Sequence, residues 1–297
     1  MVSKDIEENR VSIIIPVRNV EDYVEEAVKS LFSQTYKNIE IIIINDHSVD
    51  RTRSLLDGLA KLDSRLKVYD AIGKGKVAAF NQGWSVCSGE YIFLFAGDDV
   101  LPNNSIENRC LLFGDGVDVA TGKIKSFSNN KKYDGIVYPK KNAPNLSGGA
   151  AGFTREFANK IFPIPELLPN EDVWTSLHIR AFAKKINWTN DIILNYRIHE
   201  NNSMGFGVAF DKKSEIIGSR NKAYKLFLEK YKNVLDLENL NYLDGKIKAE
   251  GLRKEGRIWS LLFLGGVSLK DRLANISFSS ELTYKVRVVL EKYLSGR

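Results

Sequence analysis

Apolar residues in this chain come in two arrangements: short unbroken runs, and longer stretches in which they recur every third or fourth position. Val11–Val17 (VSIIIPV), Ile39–Ile44 and Tyr91–Phe95 are unbroken runs, as expected of strands buried on both faces of a parallel sheet. Between them, Val24, Ala27, Val28, Leu31 and Phe32 predict a helix running to Gln34 and capped by Asn19. A second helix carries Leu55, Leu56, Leu59 and Leu62 on its inner face, and a third carries Val77, Phe80, Trp84 and Cys87. A short strand at Leu66–Tyr69 completes the alternation. Strands alternating with helices of this length read as βαβ units, so the first hundred residues form half of a Rossmann-like α/β domain.

The middle of the chain is less regular. Val117–Ala120 and Ile136–Tyr138 read as strands, Phe153–Ile161 as a short helix, and Asp172 to about Lys184 as a longer one. Strand-like stretches at Ile186–Thr189 and Asp191–Ile198 follow. Beyond Gly205 the pattern turns helical, with Tyr224, Phe227, Leu228 and Tyr231 on one face and a second apolar stripe of Ile258, Leu261, Leu262 and Val267.

Charge sharpens that boundary. Residues 206–297 hold 18 Lys and Arg against 11 Asp and Glu, whereas the residues before them hold 25 against 26. A near-neutral body with a basic tail suits an enzyme working beside an anionic surface or polymer better than a nucleic-acid binder. No apolar run approaches the ~20 residues of a membrane span, and MVSKDIEENR lacks the apolar core of a secretory signal. Cys87 and Cys110 lie far apart and outside any metal-type spacing. These features lead to the expectation of a cytoplasmic protein with reduced thiols.

Candidate chemistry collects where the strands end. Asp98 and Asp99 lie just past the carboxyl end of the Tyr91–Phe95 run, where open α/β sheets bind ligands. Two adjacent carboxylates repel, and a divalent cation such as Mg²⁺ or Mn²⁺ on a diphosphate would keep both ionised. Asp46, ending the second strand, is suited to accept the imide N–H of a pyrimidine base. Lys76 follows Gly73-Lys74-Gly75 in a loop position that suits phosphate. Asp172, beside Glu171 at a helix start, is a candidate general base, and His199 a candidate further metal ligand. The glycine-rich stretch Asn145–Gly152, with Gly148 and Gly149, would let a ligand approach the backbone, and Trp174 could stack on a sugar. No convincing Ser-His-Asp or catalytic cysteine arrangement is present.

The stretches VSIIIPVRN, SLFSQTYKNIEIIIINDHSVDRT, AAFNQGWSVCSGEYIFLFAGDDVLP, the Glu171-Asp172 pair and YRIHENNS, in that order, resemble a family 2 glycosyltransferase. The resemblance spans roughly residues 11–204. It implies a GT-A fold with a mostly parallel central sheet, and a catalytic domain over 1–205. Residues up to about 100 would hold the nucleotide-sugar, 101–205 the acceptor, and 206–297 would form a basic helical appendage. It further implies inverting, metal-dependent transfer from a nucleotide-sugar, most readily a UDP-sugar, to a glycan or lipid-linked saccharide. Donor contacts would come from Pro16, Arg18, Asn19, Asp46, Lys76, Asn81 and Asp98. Asp99 and His199 would hold the metal. Asp172 would be the base, with Gly148, Gly149, Glu171 and Trp174 facing the acceptor.

Three departures from the family pattern concern phosphate handling. Arg18 stands where an aromatic is usual, Phe80 replaces a frequent Arg before Asn81, and Ala96 replaces the first Asp of a common D-x-D-D run. A sugar-nucleotide pyrophosphorylase is the rival enzyme, although Pro16-Val17-Arg18-Asn19 makes a poor version of its glycine-rich loop. A binding module without turnover is the non-enzymatic rival. For the basic tail, with Arg253, Lys254 and Arg257 beside its apolar stripe, the expectations are peripheral contact with an anionic membrane leaflet or self-association.

Overall fold

The computed structural model describes residues 9–199 and 208–294. The chain divides into two compact units, Met1–Ile198 and His199–Arg297. The expected boundary at 205/206, and Glu200 to Ser203 of the YRIHENNS stretch, lie outside the described residues.

The first unit is a mixed α/β layer structure around one eight-stranded sheet. Strands β1 (Val11–Val17), β2 (Ile39–Asn45), β3 (Leu66–Asp70) and β4 (Tyr91–Leu94) are mutually parallel in the order β3-β2-β1-β4. Helices α1 (Val24–Phe32), α2 (Thr52–Ala60) and α3 (Lys76–Val86) make the crossovers. All seven residues of β1 and all seven of β2 are buried, which is why both read as unbroken apolar runs. Each of the four isoleucines at 41–44 contributes on the order of 1.5–3 kcal/mol by burial alone. Strand order reverses at β1, which has β2 on one side and β4 on the other. That switch point opens a crevice at the carboxyl ends of these strands.

Beyond α4 (Ser105–Cys110) the sheet changes character. β5 (Val119–Phe127), β6 (Val137–Tyr138) and β7 (Gly152–Thr154) extend it in the order β4-β7-β5-β6. The short β7 runs antiparallel to both of its neighbours. Gly152 permits this pairing, because a Cβ there would sit 2.1 Å from the Phe93 ring. After α5 (Arg155–Ile161) and α6 (Asp172–Phe182), the twelve-residue β8 (Ile186–Arg197) pairs parallel with β5, with register shifts near Lys123.

Several sequence expectations are corrected here. Asn19 does not cap α1, which starts at Val24. It sits at φ 49°, donates its N–H to Ser48 Oγ (3.0 Å) and accepts from the Val49 N–H (2.9 Å). It therefore ties the loop after β1 to the loop after β2. Leu62 lies beyond the end of α2 and is exposed. The helix expected from Phe153 begins at Arg155, because Gly152–Thr154 is strand and the Thr154 side chain caps the helix by accepting from the Phe157 N–H. The strand expected over Val117–Ala120 runs on to Phe127, and the two stretches around 186–198 are one strand.

The second unit is helical: α7 (Phe210–Tyr231), α8 (Leu237–Lys254), α9 (Ile258–Leu262), α10 (Leu269–Ser277) and α11 (Glu281–Leu294). Leu261, Val267 and Phe227 are buried in it. Arg253, expected on a basic surface, is buried instead. It forks onto both oxygens of Glu250 at 2.8 Å and also donates to Ser214 Oγ and to the Phe278 carbonyl. None of the described helices is long and apolar enough to cross a membrane.

Candidate active site

The acids at the end of β4 are held by the far end of β8. Val100 and Asn195 exchange two backbone hydrogen bonds of 3.0 and 2.8 Å. Two residues further along, the Arg197 N–H donates to Asp99 Oδ1 (2.8 Å) and Arg197 Nε to the Asp98 carbonyl (2.7 Å). The guanidinium lies over the rings of Tyr23 and Phe127 and pairs with Glu26. Asp99 is buried, and burial followed by repulsion from Asp98 pushes its carboxyl well above the usual range, against the pull of the Arg197 N–H.

Asp46 follows β2 directly and is almost wholly buried. Both its oxygens accept from the Gly75 N–H (3.1 Å), and Oδ1 lies 3.2 Å from His47 Nδ1. Gly75 precedes α3 at φ 96°, a backbone state that only glycine adopts without strain. Lys76, the first residue of α3, reaches from there to Glu171 at the start of α6, with Nζ 3.0 Å from Oε1.

Lys76 and Glu171 are both shifted upward. For Lys76, burial works against the charge, but Glu171, Asp172 and Asp98 outweigh it and hold the ammonium protonated. For Glu171, burial is the largest cause. Lys76 pulls the other way, Asp172 adds to the rise, and the carboxyl is pushed up to about 7. The asymmetry is physical: the lysine answers to several carboxylates, the glutamate to a single lysine.

Tyr196, on β8 between Asn195 and Arg197, marks the shared space. Burial raises its phenol above the usual range, and Asp99, Asp98 and Asp172 add to the rise against Lys76. The acids after β4 and the acid of α6 therefore lie near enough to one phenol to act on it together. Neither Tyr196 nor Arg197 was assigned a role from sequence. Their membership of the YRIHENNS stretch was the signal available.

Other expected site residues do different work. Trp174 is completely buried, its indole Nε1 donating to the Ile161 carbonyl (2.9 Å), so it is core rather than a sugar platform. Asn81 spends its side-chain amide on the backbone of Ile164, donating to the carbonyl and accepting from the N–H at 2.8 Å each, which removes it as a donor contact. Pro16 is buried in β1 opposite Ile44 and presents no surface to a ligand. Arg18 is exposed past the end of β1, and Gly148 packs against Glu171, Leu94 and Thr175. Gly149 lies against Leu194. His199 follows β8 and is half-buried.

Among the described residues no three metal-type side chains cluster together. The donor set at Asp98 and Asp99 nonetheless fits a hard divalent cation of the kind held by one or two carboxylates and completed by phosphate oxygens and water. Asp98, Asp99 and Asp172 act on Tyr196 together with Lys76, and Glu171, Asp172 and Asp98 act on Lys76 itself. A diphosphate entering such a field needs added positive charge.

The model of the family described as "Glycosyl transferase family 2" matches residues 12–162, half of the chain. The chain belongs to glycosyltransferase family 2. This sets aside the pyrophosphorylase alternative. Glycosyltransferase GlyG of Streptococcus pneumoniae is 39% identical over 98 residues, 33% of this chain and 33% of GlyG. Glycosyltransferase GlyA of the same organism is 30% identical over 125 residues, 42% of this chain and 18% of GlyA. The matched stretches thus span a third or less of either relative. Among solved structures, Staphylococcus aureus TarS 1–349 in complex with UDP-GlcNAc superposes with a TM-score of 0.63 at 18% identity, covering 97% of this chain and 92% of that one. The mannosyltransferase PcManGT from Pyrobaculum calidifontis, in complex with GDP-Man and Mn²⁺, gives 0.57 at 15% identity, covering 96% and 88%. At these identities the likeness is one of fold, the GT-A arrangement of family 2 enzymes.

Proposed function

We propose that this family 2 member is an inverting, metal-dependent glycosyltransferase. It would move a hexose or N-acetylhexosamine from a UDP-sugar to a hydroxyl of a growing bacterial surface glycan. The observation that carries the reading is that Asp172, at the start of α6, and the Asp98-Asp99 pair after β4 act on the same phenol, Tyr196. Asp172 takes the proton from the acceptor hydroxyl, whose own pKa is far too high for it to ionise at neutral pH. One base acting opposite the leaving group gives in-line displacement and inversion, with no covalent nucleophile required. Asp98 and Asp99 would hold Mn²⁺ or Mg²⁺, which when bound offsets the negative charge arriving on the leaving diphosphate. Lys76 adds a second positive charge beside the phosphates, Arg18 lies against the base, and Asp46 accepts from its imide. Gly148, Gly149 and Glu171 line the acceptor side. UDP-GlcNAc in TarS and GDP-Man with Mn²⁺ in PcManGT support a nucleotide-sugar donor class. A panel of UDP-, dTDP- and GDP-sugars, incubated with Mn²⁺ or Mg²⁺ and read by released nucleoside diphosphate, is expected to show turnover of UDP-sugars. Silence across the whole panel would remove the enzyme reading.

We further infer that the helical unit meets an anionic lipid surface carrying the saccharide acceptor. Trp259 and Phe263, one turn apart, are 75% and 77% exposed, and Leu269 and Leu273 repeat the spacing on α10. Exposed apolar side chains on a unit with excess Lys and Arg match acidic headgroups in both polarity and charge. The full chain is expected to sediment with phosphatidylserine-containing vesicles, and a Trp259→Ser/Phe263→Ser variant to stay in solution. A wild-type protein that ignores the vesicles and instead gains mass with concentration would assign this surface to self-association.

A further inference from the structure

The Lys76–Glu171 pair joins the two halves of the cleft across 95 residues of sequence, and it is incompletely satisfied. The Glu171 side chain is only 6% exposed and that of Lys76 33%. Oε1 has the lysine, but Oε2 is buried without a hydrogen-bond partner, and so is Thr175 Oγ1 one turn further along α6. Bare backbone at Gly148 faces both residues. A Cβ there would lie 3.6 Å from Glu171 Cγ and 3.8 Å from Thr175 Cγ2. The charged groups acting on Glu171 are Lys76 from α3 and Asp172 from its own helix start, and Asp98 in turn acts on Lys76.

An incoming diphosphate is a stronger and less buried anion than Glu171, so it competes for the same ammonium. Lys76 starts α3 directly after the glycine that holds Asp46, and a third of its side chain is exposed to solvent, from which a ligand would arrive. Glu171 cannot follow it into solvent. Losing its cation would strand a desolvated carboxylate, a penalty that protonation removes.

We propose that Lys76 and Glu171 form an exchange device, in which the donor diphosphate takes the lysine and Glu171 takes one proton from solvent. The proton comes from buffer and ends on a carboxyl oxygen, and no other bond is made or broken. The neutral carboxyl then has an O–H to donate toward Thr175 Oγ1 or toward a sugar hydroxyl lying against Gly148. Glu171 thereby becomes a positioning residue for the sugar as well as a register of donor occupancy. This inference rests on the nucleotide-sugar reading of the cleft.

The test is calorimetric titration of UDP into the full chain, with saturating Mg²⁺ on both sides, in pairs of buffers of low and high ionisation heat. Protons exchanged by UDP and Mg²⁺ themselves are common to all variants and cancel in the comparison. Because the Glu171 carboxyl is pushed up to about 7 before ligand arrives, wild type is expected to take up more protons than Glu171→Gln, the excess growing from near zero at about pH 6 toward about one at pH 8. Lys76→Met breaks the pair from the other side. It is expected to bind UDP more weakly and to lose the same excess, since its glutamate is already neutral before ligand arrives. Equal proton uptake in wild type and Glu171→Gln, or an undiminished excess in Lys76→Met, overturns the exchange while leaving the donor reading standing. If none of UDP, dTDP and GDP gives a binding isotherm, the donor reading fails, and the exchange with it.

Discussion

Asp172→Asn is expected to bind UDP about as well as wild type and to lose transfer by about 10²- to 10⁴-fold. Asparagine keeps the size and polarity of the side chain at the first position of α6, but it cannot accept a proton near neutral pH. The loss should therefore fall on the rate of the chemical step, with nucleotide affinity as an internal control in the same preparation. Removing this charge also relieves one of the repulsions raising Glu171, so the variant should titrate that carboxyl at lower pH. Transfer at the wild-type rate would mean that another group accepts the acceptor's proton.

The second large effect is expected at Asp99. Asp99→Asn keeps an oxygen able to accept the Arg197 N–H, so the loop retains its anchor, but the charge that a cation needs is gone. Metal stabilisation of a departing diphosphate amounts to several kcal/mol, and each 1.4 kcal/mol is tenfold in rate, so a loss of about 10²- to 10³-fold is expected. The measurement is rate against Mn²⁺ concentration. The variant's half-saturation point should move up strongly, and an unmoved titration curve would take Asp99 out of the metal site.

The parts of this molecule that were legible in the chain are those whose signal is local. The unbroken runs of β1, β2 and β4 could bury nowhere but in the centre of a sheet, and an acid pair just past β4 had to fall at its carboxyl edge. What escaped depends on partners distant in sequence. The Asn81 amide looks free until Ile164, 83 residues on, closes over it. An indole beside a proposed base fits a sugar platform and a core plug equally well, and only the Ile161 carbonyl decides between them. Three residues of β7 carry no periodicity, and their reversed direction depends on Gly152 yielding room to Phe93. Arg253 reads as surface charge in a basic stretch, but it is buried because Glu250 lies one turn before it on the same helix. Tyr196 and Arg197 reach the acids across nearly a hundred residues, a distance over which no spacing rule operates.

The two rungs between Val100 and Asn195, the Arg197 N–H on the Asp99 carboxylate and the Arg197 side chain on the Asp98 carbonyl fix the stretch of backbone that carries both acids. A receptor preassembled in this way gives up little freedom when its guest arrives, so less of the encounter's free energy is lost to ordering the host. Selectivity among guests then falls to side chains around it, Lys76 among them once its hold on Glu171 is exchanged.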